Sequence, residues 1–425
     1  MTIGALFSLR VEMFKRIPKR VISLAGGGAA QSVLNAALAL LLTRWLPIHD
    51  RGQMVTIIAF ATIVALLSGI CVSTAFRLRA AALTEVAPTY FISCLVLPGI
   101  AGLTSGVGAY VYVVSTDSSY WLVAGGAAAG FALLLQSMCW DAWYAYGKYH
   151  RGSLWAAATS AIAVVSCLAV SPARPSAGQY LIVQMGSISL GTLFSFVLLI
   201  YSIEGFRGRW SWAAFRELAG TGRTVLGWNF GMVIMSRSDR IVLALLVAPA
   251  AAAIYGLAVT YAEAIRVLSN SVAQLLVNRD HSAQDGFASK WSPLVIASAV
   301  IAIGLLGLPV FGFLVNIAYV TEYQSSIWLA GALLVAEFGM SLFLLSSRWL
   351  QGGGQLMLTR RIAVITAAAA VPSFALGGAV WGLGGVVGAV IMAYLALGLL
   401  AFAFVLRQGA NGPSELILES GDGNG

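Results

Sequence analysis

The chain has 425 residues, 59% hydrophobic and 10% charged, with a mean hydropathy of +0.87 and a formal net charge of +9. That composition excludes an ordinary soluble globular domain and marks an all-α, polytopic membrane protein. The basic surplus follows membrane topology rather than one patch, so a nucleic-acid partner is excluded as its explanation.

The head, residues 1–20, reads as a basic amphipathic cytoplasmic helix. Given about 20 apolar residues per crossing, twelve spans follow in chain order: Val21–Leu42, Gln53–Phe76, Pro88–Val113, Tyr120–Tyr144, Ser153–Ser171, Gln179–Ile203, Thr224–Val247, Ala253–Val277, Trp291–Val315, Ile327–Trp349, Arg361–Leu376 and Val380–Leu406. The first run is too long for the apolar core of a cleavable signal and is expected to remain as a helix. Pro372 and the Gly-rich "LGGAVWGLGG" blur the border between the last two spans. The polar tail, residues 408–425, reads as disordered.

Twelve spans place both termini on one side. Of the 25 Lys and Arg residues, 19 fall on that side, three on the other (Arg44, Arg51, Arg174) and three inside spans. The positive-inside rule makes both termini cytoplasmic, in a multi-pass protein of the cytoplasmic membrane. The longest internal loop lies within residues 204–223 and is read as a cytoplasmic linker between an N-terminal bundle, 21–203, and a C-terminal bundle, 224–407.

Shifting the second half over the first by 202 positions pairs Pro47 with Pro249 and Arg77 with Arg279. A similar shift lays "AYGKYHRGSL" on "GGGQLMLTRR". The pattern suggests duplication into two six-helix bundles around a central cavity, with a binding site between them.

Chemistry is concentrated in the seventh and eighth spans. "NFGMVIMSRSDRIVLALLV" carries Arg237, Asp239 and Arg240 in its middle, where each charge costs roughly 2.5–3.5 kcal/mol on insertion scales. Asn229, Ser236 and Arg240 share a helical face; Glu263, Arg266, Asn270 and Gln274 form a second stripe. Three arginines (Arg237, Arg240, Arg266) face two carboxylates (Asp239, Glu263). Either these groups neutralise one another, or the surplus charge faces a watery cavity that receives an anion, which guanidinium forks suit. Asp141 and Glu337 are two further intramembrane acids, readable as charge partners or as proton sites for a coupling ion. The run "WDAWYAYGKY" (Trp140 to Tyr149) is read as an interfacial aromatic belt or as a sugar-stacking surface.

Four cysteines lie in apolar runs without CxxC spacing, and three histidines lie far apart in loops, so no metal or cofactor is expected. With no GxxxxGK[ST] motif, ATP hydrolysis within the chain is not supported.

Three stretches carry a resemblance: "LLLTRWLPIHDRGQM", the long "SRSDRIVLALLVAPAAAAIYGLAVTYAEAIRVLSNSVAQLLVNR" and "LQGGGQLMLTRR". Together they resemble the Wzx-type polysaccharide flippases of the multidrug/oligosaccharidyl-lipid/polysaccharide (MOP) exporter superfamily. "LPIHDRG" and "WYAYGKYH" depart from that pattern. The resemblance implies a V-shaped pair of bundles that opens to each side in turn. It also implies a transporter rather than an enzyme, with polyprenyl-pyrophosphate-linked oligosaccharide as cargo, and makes other membrane proteins of polysaccharide assembly candidate partners. On that reading Arg237, Arg240 and Arg266 hold pyrophosphate, Asn229, Asn270 and Gln274 meet sugars, and Asp239 and Glu263 orient the arginines. The alternatives are a cation-coupled multidrug exporter of the same fold and a membrane polymerase or scaffold.

Overall fold

The structure is a computed structural model that describes residues 19–78, 83–203, 209–277, 291–317, 321–352 and 355–408. The amphipathic head up to residue 18 and the polar tail from residue 409 lie outside the described residues, as does the loop 278–290.

The described residues are all-helical. In chain order the helices are α1 (Lys19–Trp45), α2 (Ile48–Gly69), α3 (Val72–Leu78), α4 (Leu83–Thr116), α5 (Trp121–Ala145), α6 (Tyr149–Val170), α7 (Ala177–Tyr201), α8 (Trp212–Val242), α9 (Pro249–Val277), α10 (Ser292–Ile317), α11 (Ser325–Gly352) and α12 (Leu356–Gln408). Among these residues ten segments are long and apolar enough to cross a membrane. Helix α8, which carries Arg216, Glu217, Arg223, Arg237, Asp239 and Arg240, is not one of them. The last segment, Leu356–Arg407, is 52 residues long; at 1.5 Å per residue a straight helix of that length would reach about 78 Å, more than twice the hydrocarbon core. It is divided at Gly382, whose φ of 60° and ψ of −140° belong to a region open essentially to glycine. There the chain doubles back, and the backbones of Gly377 and Gly385 touch with no room for a Cβ. The blurred border between the last two expected spans is this reversal.

Packing repeats with a period of six spans. In the first half α1 packs on α6, α2 on α4 and α5, and α5 on α4 and α7. In the second half α8 packs on α12, α9 on α10 and α11, and α11 on α10 and α12. The second half holds a core centred on Met235, Tyr255, Phe343 and Phe374, which Ala39 of the first half joins; the first half has a cluster around Phe76, Tyr90 and Trp143, joined by Leu218 of the second half, and one around Leu42, Met54 and Tyr180. The halves meet mainly through α1, α2 and α3 against α8 and α9. Small residues allow the close approach: the backbone of Gly52 touches Pro249, Gly28 faces Val267, Gly256 faces Val55, and Gly222 touches the carbonyl of Ile70.

Local chemistry explains the helix ends. Ser176 and Gln179 form a reciprocal capping box at the start of α7, and Pro249 opens α9, where its missing N–H costs nothing. Two boundaries differ from the sequence reading. The expected second span, continuous to Phe76, is broken at Ile70 and Cys71, which both adopt left-handed φ values of 47° and 52°. These are uncommon for residues with a Cβ, and Gly222 of α8 packs against the Ile70 carbonyl with no room for a side chain. Much of the expected linker is helical, since α8 starts at Trp212, capped by Ser211 accepting from the Ala214 N–H at 3.3 Å. Leu218, Ala219 and Gly222 bury that extra length.

Candidate functional site: a charged cluster inside the C-terminal half

Helix α8 carries Arg237 ten residues before Val247, and α9 carries Glu263 fourteen residues after Pro249. At 1.5 Å per residue they lie about 15 and 21 Å from the ends joined by the turn, well inside both helices. Between them the chain passes through a π-turn at Leu243–Val247, closed by the Ala248 N–H donating to the Leu243 carbonyl at 2.9 Å.

Glu263 is the hub. Arg237 donates through Nη1 to Oε1 at 2.9 Å and to Oε2 at 3.2 Å, and Arg240 donates through Nη2 to Oε1 at 2.7 Å. Arg266, one turn further along α9, has its Nη1 3.8 Å from the same oxygen. Arg266 in turn is gripped by Glu337 of α11: Nε donates to Oε2 at 2.7 Å and Nη2 donates to Oε1, a bidentate pair. Its guanidinium also stands 5.9 Å from the centre of the Tyr394 ring.

The expected surplus of positive charge at this depth is corrected by Glu337. Counting Asp239, three arginines and three carboxylates then share this region, although only Glu263 and Glu337 touch the guanidiniums. Span counting alone gave no reason to bring the tenth span against the eighth; α9 packing on α11 does so. Asp239 takes no direct part in the arginine network. It is 1% exposed, accepts from the Tyr255 hydroxyl at 2.5 Å, and accepts from the backbone N–H of Arg240 at 2.7 Å.

The cluster is not sealed. The side chains of Arg237 and Glu263 are both 22% exposed, and the Nε atoms of Arg237 and Arg240 are buried without a partner among the described residues. Gly256, Glu263 and Val267 share one face of α9 by their spacing, and Gly256 and Val267 touch α2 and α1. Glu263 therefore lies on the seam between the halves.

The other expected site residues fall elsewhere. Asn229 donates through Nδ2 to Cys71 Sγ at 3.3 Å, tying α8 to the break between α2 and α3. Asn270 is half-buried further along α9, while the side chain of Gln274 lies outside the described residues. Asp141 pairs with Arg77 at 3.3 Å near the C-terminal end of α5. The aromatic run divides: Trp143 is buried and donates to Ser195 Oγ at 2.9 Å, whereas Tyr144 and Tyr149 stack on each other at 5.5 Å. Tyr255 and Tyr394 were missed, because an aromatic in an apolar run carries no signal of its polar end.

No protein-family model and no curated protein matches the sequence. Solved structures do. An inward-facing multidrug resistance MATE family transporter of the MOP superfamily aligns over 92% of this chain and 99% of its own, at 15% identity and a TM-score of 0.67. An outward-facing MATE family transporter aligns over 92% and 96%, at 14% identity and 0.61. A MOP superfamily transporter from Pyrococcus furiosus, whose reversed pocket polarity is taken to suggest a different function, aligns over 92% and 96%, at 13% identity and 0.55. At such identities the likeness is one of architecture: the chain has the fold of the MATE transporters of the MOP superfamily.

Proposed function

We propose that the chain is a transporter of the cytoplasmic membrane that moves a polyprenyl-pyrophosphate-linked oligosaccharide from the cytoplasmic to the external face, for cell-surface polysaccharide assembly. Both termini are cytoplasmic on this reading. The observation that supports it is the convergence of three guanidiniums on one carboxylate, Glu263, at mid-depth on the seam between the halves.

Because the cluster is balanced, it does not attract anions through net charge. Glu263 instead stands in for the anion. Its two oxygens occupy the point toward which Arg237, Arg240 and Arg266 converge, and a pyrophosphate displaces it by offering more acceptor oxygens to the same donors. Protonation of Glu263 would release the arginines to the cargo, and ionisation would expel the cargo, which couples loading to a proton. Glu337 keeps Arg266 oriented throughout. The sugars cross in the space between the halves while the polyprenyl tail remains in lipid.

The rival is a multidrug exporter, the description its structural neighbours carry. A cationic drug needs an open carboxylate, and here Glu263 is screened by arginines. The test is translocation in inverted vesicles given lipid-linked oligosaccharide on the cytoplasmic face. Protection of the glycan by wild type, lost in Arg237→Ala and Arg240→Ala at matched expression, is the expected result. If wild type protects no glycan but accumulates a cationic dye, the drug-exporter reading replaces this one.

A further inference from the structure

A second group of arginines lies outside the midplane cluster. Arg348 is eleven residues beyond Glu337 on α11, about 16 Å nearer the cytoplasmic end. Its guanidinium lies 4.8 Å from the centre of the Trp228 ring on α8 and donates through Nη1 to Gln351 at 2.9 Å. It is within Coulombic reach of Arg77 and Asp141, which belong to the other half. Arg360, near the start of α12, runs along the backbone of Gly227, the neighbour of Trp228.

The charges do not cancel here. Arg77 touches Asp141 through one nitrogen at 3.3 Å, and its side chain is only 12% exposed. The Nε atoms of Arg77 and Arg348 are both buried with no partner among the described residues. Two guanidiniums, Arg77 and Arg348, thus lie near one carboxylate, Asp141, and come from opposite sides of the seam between the halves. Like charges held close at low exposure repel, and unpaired guanidinium N–H groups are costly to bury. Stacking on Trp228 holds Arg348 in place but supplies no counter-charge. Tyr144 flanks Asp141, and Cys71 with Asn229 closes the side toward α2; none of these adds a carboxylate.

We propose that Arg77 and Arg348, flanked by Arg360, form an anion site at the cytoplasmic mouth that binds a phosphate or diphosphate group across the two halves. Bound there, the anion joins α3 to α11 and stabilises the closed arrangement of the cytoplasmic ends. Asp141 holds Arg77 when the site is empty and competes with the ligand. The binding step stands without the transport reading; only its service as a loading station for cargo rests on it.

The experiment is arginine labelling of the full-length protein by phenylglyoxal in phosphatidylcholine nanodiscs, read site by site by mass spectrometry. One arm adds inorganic pyrophosphate; the other incorporates a polyprenyl phosphate. The expected result is protection of Arg77 and Arg348 together, with half-protection at about tenfold higher ligand in Arg348→Gln, read at Arg77. Asp141→Asn, which removes the competitor, shifts half-protection to lower ligand. Arg237→Gln leaves protection at the mouth unchanged, which separates this site from the midplane cluster. Protection by pyrophosphate as well as by lipid assigns the site to any phosphate; protection in the lipid arm alone assigns it to a headgroup. Absence of protection in both arms, or protection at Arg77 that is indifferent to Arg348→Gln, overturns the proposal.

Discussion

Glu337 holds the guanidinium of Arg266, 71 residues away in sequence, by both of its carboxylate oxygens, and so closes the charge balance of a cluster spread over α8, α9 and α11. A fork-on-fork pair of this kind fixes orientation as well as charge. In lipid neither partner tolerates loss of the other.

Removal of one partner is therefore expected to cost more than removal of both. Glu337→Leu should destabilise by about 3–5 kcal/mol, since it leaves Arg266 buried with only the distant carboxylate of Glu263 as counter-charge. Arg266→Met combined with Glu337→Leu should recover most of that loss. Unfolding of the purified protein in mixed micelles checks this, and equal stability of the single and double variants would show that the pair is not coupled.

Glu263→Gln removes the internal anion while keeping its shape. The variant should bind inorganic pyrophosphate more tightly than wild type, because Arg237 and Arg240 are released, and should translocate more slowly, because the step that expels cargo is lost. Equilibrium binding and vesicle turnover are measured on the same preparation. Weaker binding together with slower transport would make Glu263 a structural group only.

Gly382→Ala places a Cβ on a backbone with φ of 60° and ψ of −140°. The strain is expected to cost about 1–3 kcal/mol, and it falls on the turn that separates the last two spans. A lowered Tm with the helical content retained is the expected outcome. An unchanged Tm would mean that the turn relaxes into another conformation.

Gly52→Val tests the closure between the halves. The Gly52 backbone lies against Pro249, so a side chain there forces the N-terminal ends of α2 and α9 apart. Labelling of a cysteine introduced by Ser238→Cys, buried at 7% exposure in the parent, should become faster. Unaltered labelling would mean that these ends already part freely.

Composition and hydropathy by themselves determined the class: an all-helical membrane protein with twelve apolar runs and three arginines in the seventh and eighth, because a bilayer imposes length and apolarity on every crossing. Glycine and proline marked where the runs end, and the six-span period surfaced as a faint repeat around Pro47 and Pro249. What the sequence left undecided depends on which helix faces which. Glu337 was legible as an intramembrane acid, yet its attachment to Arg266 follows only once α9 packs on α11. The break at Ile70 and Cys71 lies against Gly222 of the other half, a contact that no local propensity of those residues announces. The place of Asn229 beside Cys71 follows from the same packing of α8 on the break between α2 and α3. Arg77 and Arg348 read as ordinary cytoplasmic charges in sequence, and only tertiary structure brings them together, because attraction and repulsion between charges depend on distance in space and not on separation along the chain.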